Sequence, residues 1–183
     1  MSKVLVLGAT GGIGGEVARQ LHAAGWEVCA LTRDVGKARR ANADFSWIEG
    51  DALNRDEVRA AARGCAVIVH AVNPPGYRNW AELVMPMIDN SIAAAIAEGA
   101  TIVLPGTVYN FGPDVFPVLY EDSPQHPQTR KGAIRVQLEQ RLEQASRRGA
   151  RVLIVRAGDF FGARVANNWF CLLYTSPSPR DRG

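Results

Sequence analysis

Short, continuously apolar runs alternate along this chain with longer segments whose apolar residues recur at helical spacing. "KVLVLGA" predicts a first strand ending in glycine. "GEVARQLHAAG" predicts a helix with Val17, Leu21 and Ala24 on one face and Gly25 at its end. "EVCALT" and "FSWIEGD" predict two more strands. "NRDEVRAAARG" opens a helix with Asn54 as N-cap and Glu57 three positions on, a capping box in form. "AVIVHAV" has no polar face short of its histidine, the mark of a strand covered on both sides. A long helix is expected within "WAELVMPMIDNSIAAAIAEGA", kinked at Pro86 and closed by Gly99. Strand "TIVLPG", a Pro- and Asp-rich loop over 110–128, a helix beginning in "HPQTRKGAIRVQLEQRLEQ" and ending at Gly149, and strand "RVLIVRAG" complete the pattern. Strands alternating with helices predict right-handed crossovers and a doubly wound parallel sheet in a three-layer α/β/α sandwich. No internal repeat interrupts it, and one domain is expected.

The C-terminus breaks this rhythm. "CLLYTSPSPRD", Cys171 to Asp181, has no periodicity and back-translates in frame to a sequence resembling the transposase-end adaptor of sequencing libraries. Residues 171–183 are therefore expected to be a non-native tail, and the domain is expected to span 1–170, without a substrate lobe. Without that tail the formal charge of +3 falls to +2, no footprint for nucleic acid. No apolar run approaches the roughly 20 residues of a membrane span. The start "MSKVLVLGAT" carries no signal-peptide pattern, so a cytoplasmic location is expected. Cys29 and Cys65 lie in or beside apolar runs and are expected to be small core residues.

"GATGGIGG" places Gly8, Gly11 and Gly14 at spacing three between a predicted strand and a predicted helix. A diphosphate needs this arrangement: backbone free of Cβ atoms, beside N–H groups at the positive end of a helix. Gly14 is expected to let that helix pack close to the sheet. The alternative phosphate loop needs Gly-Lys-Ser/Thr, which is absent.

Together, "VLVLGATGGIG", "GTVYNFG" after the fifth strand and "VRAGDFFG" downstream resemble the extended and atypical short-chain dehydrogenase/reductases of the NAD(P)-dependent epimerase/dehydratase type, over residues 3 to 170. The resemblance implies a Rossmann-type fold and a dinucleotide held at Gly8, Thr10, Gly11, Gly12, Ile13 and Gly14. It also implies Asp51 and Ala52 at the adenine, and Ala71, Val72 and Asn73 along the nicotinamide ribose. Users of NAD place an acidic residue after strand two. Here "CALTRD" puts Thr32 and Arg33 there, with Lys37, Arg39 and Arg40 following. A guanidinium suits a 2′-phosphate, so NADP is the expected cofactor, while Asp34 keeps NAD open.

The same resemblance exposes a departure. These enzymes pair a Ser or Thr with a Tyr four residues before a Lys, the tyrosine moving the substrate proton. Alignment of "IRVQLEQ" puts Arg135 at the lysine and Lys131 at the tyrosine, and counting back from "VY" puts Pro105 at the serine, with Thr107 the nearest hydroxyl. Arg135 can hold ribose or phosphate but cannot exchange a proton near neutral pH. Lys131 and Tyr109 are the candidate acids, with Thr107 beside them. His22, His70 and His126 are scattered, and no metal is expected. Two functions stay open: an oxidoreductase or epimerase acting on a sugar nucleotide or related carbonyl/hydroxyl substrate with a rebuilt acid/base set, and a non-catalytic NADP sensor. Expected partners are the dinucleotide, a small-molecule substrate and, as an open alternative, a second copy in a homodimer.

Overall fold

The computed structural model describes residues 1–74 and 79–158. In chain order these form β1 (Lys3–Leu7), α1 (Gly12–Ala23), β2 (Glu27–Thr32), α2 (Val35–Ala41), β3 (Ser46–Glu49), α3 (Arg55–Ala61), β4 (Val67–His70), α4 (Trp80–Glu98), β5 (Thr101–Thr107), α5 (Arg130–Arg147) and β6 (Arg151–Ala157). Two short 3-10 turns, Val108–Asn110 and Pro113–Val115, follow β5. All pairings are parallel, in the order β3-β2-β1-β4-β5-β6. The expected doubly wound Rossmann-type sheet is present. Within "VRAGDFFG", residues beyond Gly158 lie outside the described residues, as does the expected boundary at Phe170.

The chain walks outward from β1 to β3, then returns to β4 and walks the other way. Right-handed crossovers put helices from the two walks on opposite faces. Leu5, Leu7, Cys29, Leu31, Ile68, Ile102 and Leu104 accordingly pack under α3, α4 and α5. Val4, Val6, Val28, Ala30 and Val69 pack toward α1 and α2. This period-two division explains why the strands read as unbroken apolar runs.

Local chemistry sets the helix ends. Asn54 caps α3 by accepting from the Asp56 and Glu57 amides (3.1 and 3.3 Å). Glu57 answers by accepting from the Asn54 side-chain amide (2.8 Å) and the Asp51 backbone N–H (2.7 Å). Gly25, Gly99 and Gly149 follow α1, α4 and α5 in left-handed backbone. Helix α4 runs through Pro86 as one element. Helix α1 follows its sequence reading at Val17 and Leu21, which pack against the sheet, and departs from it at Ala24, which is exposed just past the helix. It begins at Gly12 and buries Gly14, Gly15 and Ala18.

Helix α5 carries a carboxylate in its apolar stripe. Glu139, 6% exposed, pairs with Arg156 of β6 (2.8 Å), whose guanidinium it holds above the ordinary arginine range by hydrogen bonding. Glu139 also accepts from Gln125 (2.8 Å), which accepts from the fully buried Asn110 (3.3 Å). This chain ties the 110–128 loop to the sheet edge. Cys29 and Cys65 are buried free thiols as expected. The two thiols interact, which lowers Cys29 and, with burial, raises Cys65.

Candidate functional site

The sheet order reverses between β1 and β4, and the carboxyl ends of the strands at such a reversal are the usual ligand position in these sheets. Gly8 turns out of β1 with φ +89°. A methyl group there would lie 2.5 Å from the Ala71 carbonyl oxygen and 2.7 Å from the Val72 nitrogen. One on Gly14 would overlap the Gly8 carbonyl, its carbon at 2.7 Å, and come within 3.2 Å of the Ala71 side chain. Gly15, absent from the sequence-based set, is also constrained, though less tightly, with the Ala9 oxygen 2.9 Å away.

Gly11 is different. Its N–H closes the turn onto the Gly8 oxygen (2.9 Å), and an added methyl would meet only that oxygen, at 3.3 Å. Gly11 also caps α1 with no side-chain hydrogen bond, so the helix start carrying Gly12 and Ile13 has no capping side chain. Thr10 is exposed on the same turn. A turn with a bare, side-chain-free rim at a helix start fits a diphosphate.

On the β2 side, Arg33 is exposed just past the strand, and Lys37, Arg39 and Arg40 are exposed on α2. Asp34 is engaged as the α2 N-cap, accepting from the Lys37 amide (2.8 Å). Asp51 accepts from the Leu53 amide (2.9 Å), and buried Ala52 accepts at its carbonyl from Asn90 of α4 (3.0 Å). Both stand just past the carboxyl end of β3, in local turns.

On the β4 side, Ala71 continues from the strand, its N–H bonded to the Leu7 oxygen (3.0 Å), and Val72 and Asn73 follow. Asn73 accepts from the indole N–H of Trp80, the first residue of α4 (2.6 Å). The Arg135 guanidinium lies over the Trp80 ring, 5.1 Å from its centroid. Beneath them His70, 5% exposed, contacts the Ser91 hydroxyl through Nδ1 (2.8 Å), and that hydroxyl donates to the Met87 carbonyl (3.2 Å). Burial and the nearby Arg135 charge pull His70 down to about 3, so its ring is neutral.

The candidate acid/base residues lie at the ends of β5 and α5. Pairing of β5 with β4 stops at Val103, which accommodates Pro105, a residue without N–H, two positions on. Thr107 is buried and accepts from the Tyr109 amide (3.3 Å). Tyr109 is half exposed, and α5 approaches its carbonyl so closely that only glycine fits at 132. Lys131 is exposed in the first turn of α5. It helps line a cavity of about 490 Å³ between the starts of α4 and α5, with Trp80, Glu82, Arg130 and Ile134 among its walls. That volume suits a small organic molecule. Among the described residues no group of three or more His, Cys, Asp or Glu side chains could hold a metal, and no helix is long and apolar enough to cross a membrane.

A family model described as NAD(P)H-binding matches residues 8–159. The chain belongs to that family. That match makes a nicotinamide dinucleotide its ligand class. The chain is 33% identical over 134 residues to a 3-diazoavenalumate denitrifying reductase of a Streptomyces species, covering 67% of this chain and 43% of that protein. The fold is similar to UDP-N-acetylglucosamine 4-epimerase from Bacillus cereus (TM-score 0.79, 19% identity, 92% of this chain, 57% of that one). It is also similar to UDP-glucuronic acid 4-epimerase from Bacillus cereus in complex with NAD (TM-score 0.76, 19% identity, 88% of this chain, 58% of that one). The chain thus spans roughly half the length of these relatives.

Two features escaped the sequence reading. Gly15 was visible as a fifth glycine, but its contact with Ala9 depends on where α1 begins. Trp80 reads as an ordinary apolar helix residue, and nothing local signals that Asn73 and Arg135 converge on it.

Proposed function

We propose that this chain is the cofactor-binding part of an NADP-dependent oxidoreductase of the epimerase/dehydratase type, acting on a sugar nucleotide or related small molecule at a carbonyl or hydroxyl carbon. The observation that carries this reading is the bare glycine rim at Gly11 beside the Gly8–Ala71 contact. Bound there, the dinucleotide supplies a hydride donor or acceptor at its nicotinamide ring. Gly8, Thr10, Gly11, Gly12, Ile13 and Gly14 would hold its diphosphate, Asp51 and Ala52 its adenine, and Ala71, Val72, Asn73 and Arg135 its nicotinamide half. The substrate would enter the cavity at Trp80 and Lys131. The chain's relative named a reductase favours reductive chemistry. Transfer of deuterium from ring-deuterated NADPH into a carbonyl substrate by the full-length protein tests the assignment; bound NADPH never consumed across such substrates would favour the sensor.

Arg33 carries the cofactor choice in this proposal. The carboxylate nearest to it in sequence, Asp34, is committed to capping α2, which favours a 2′-phosphate over free ribose hydroxyls. Arg33→Ala is expected to remove most of the preference for NADPH over NADH, on the order of 1.5–3 kcal/mol for a charge-assisted bond. Fluorescence titration with both cofactors measures it, and equal affinities in the parent protein would refute the choice.

Lys131 and Tyr109 compete for the proton-transfer role, with Thr107 as a hydrogen-bonding neighbour. Lys131→Arg keeps the charge but cannot shuttle a proton. It is expected to lower turnover by about 10²-fold or more, the usual share of general acid catalysis. Turnover left unchanged by Lys131→Ala would move the role to Tyr109. The sensor reading draws its support from Lys131 and Arg135 standing where the family has tyrosine and lysine, and it expects dinucleotide binding indifferent to Lys131→Arg.

A further inference from the structure

We infer that Trp80 is a positioning residue for the dinucleotide's nicotinamide half: it locks the Arg135 guanidinium in a binding orientation and is itself locked by Asn73. This rests on the reading that Arg135 holds the nicotinamide ribose.

Three elements meet at one indole. Its N–H donates to Asn73 Oδ1, on the segment leaving β4 (2.6 Å). Its ring carries the guanidinium of Arg135, from the second turn of α5 (5.1 Å). The residue itself opens α4 and is 6% exposed, so the ring cannot swing without disturbing packed neighbours. An arginine side chain loses much rotamer freedom when it binds a ligand, an entropic cost a flat aromatic platform reduces in advance. The platform also restrains the fork, because a guanidinium held over an indole face has fewer orientations to lose on binding. The neutral His70 beneath adds no opposing charge. Arginine at this position thus comes with a built support that a flexible ammonium would not require.

The test compares binding of NADPH with binding of adenosine 2′,5′-diphosphate, which lacks the nicotinamide ribose. Titrations on the full chain use the parent, Trp80→Leu, Trp80→Phe and Arg135→Ala. Trp80→Leu is expected to weaken NADPH about tenfold, within the range of a desolvated cation–π contact, and to leave the adenosine fragment unaffected. Trp80→Phe, which keeps an aromatic face and nearly fills the core, is expected to weaken NADPH by about threefold and serves if the leucine variant fails to fold. Equal weakening of both ligands by the Trp80 variants means a merely structural tryptophan and overturns the inference. No change in the Trp80 variants, with a loss in Arg135→Ala, overturns it while leaving the ribose reading intact. If Arg135→Ala binds NADPH like the parent, the ribose reading itself is wrong and the inference falls with it.

Discussion

Gly14→Ala is expected to destabilise the fold by about 3 kcal/mol or more, the upper end of overpacking, whereas Gly11→Val is expected to leave the fold intact and abolish measurable dinucleotide binding. The two glycines look equivalent in sequence, yet their surroundings differ. The added methyl at Gly14 would sit inside contact distance of the Gly8 carbonyl, which belongs to a turn already pressed against Ala71 and Val72. Backbone on both sides cannot rotate away as a side chain would. At Gly11 the nearest protein atom is a single oxygen at 3.3 Å, and the added side chain would project from the uncapped start of α1, where the diphosphate would lie. Each charge-assisted bond lost there costs about 1.5–3 kcal/mol, so losing two would weaken binding by more than about 10²-fold. Urea melts and cofactor titrations on both variants separate the effects. A Gly14→Ala protein as stable as the parent, or a Gly11→Val protein with parental affinity, would contradict this account.

Acid is expected to destabilise the protein through His70. The imidazole is pulled down to about 3 from 6.5 by burial first and by Arg135 second. A depressed histidine favours the neutral form in the folded state, so as pH falls through 6.5 the unfolded chain takes up a proton that the folded chain refuses. Stability therefore declines by about 1.4 kcal/mol per pH unit from this group, between pH 6.5 and the folded value near 3, and levels off below it. The accumulated loss is on the order of several kcal/mol, comparable with the whole stability of a small domain. With the Ser91 hydroxyl donating to Met87, the geometry calls for Nδ1–H as the donor to Ser91. Asparagine can place an amide donor in a similar position without titrating. His70→Asn is expected to flatten the acid limb of stability against pH by about one proton. Parallel limbs for parent and variant would place the acid sensitivity elsewhere.

Much of this architecture was legible in the one-dimensional pattern. Strand and helix order, the doubly wound sheet, the glycine turn and several caps depend on local spacing: alternation of period two, helical recurrence, and residues such as Asn54 or Gly99 whose backbone preferences act within a few positions. The identity of the ligand class was legible for the same reason, since a strand, a glycine turn and a helix start are contiguous in the chain. Helix α1 shows the limit of that reading. Its pattern pointed to Val17, Leu21 and Ala24 as one face; Val17 and Leu21 do pack against the core, but the helix ends at Ala23 and leaves Ala24 exposed.

The convergence of Asn73, Trp80 and Arg135 was not legible, nor was the chain from Asn110 through Gln125 and Glu139 to Arg156. These contacts join loop residues to side chains on other elements, and Trp80 of α4 to Arg135 of α5 above all, and no local preference encodes which side chains meet there. Arg135 and Glu139 lie on one helix with similar polar character. One is drawn to an indole because α4 begins beside α5, and the other is buried because β6 brings a guanidinium beneath it. Side-chain type set what each residue can do; burial and distance, fixed only when the layers pack, set what it is held against.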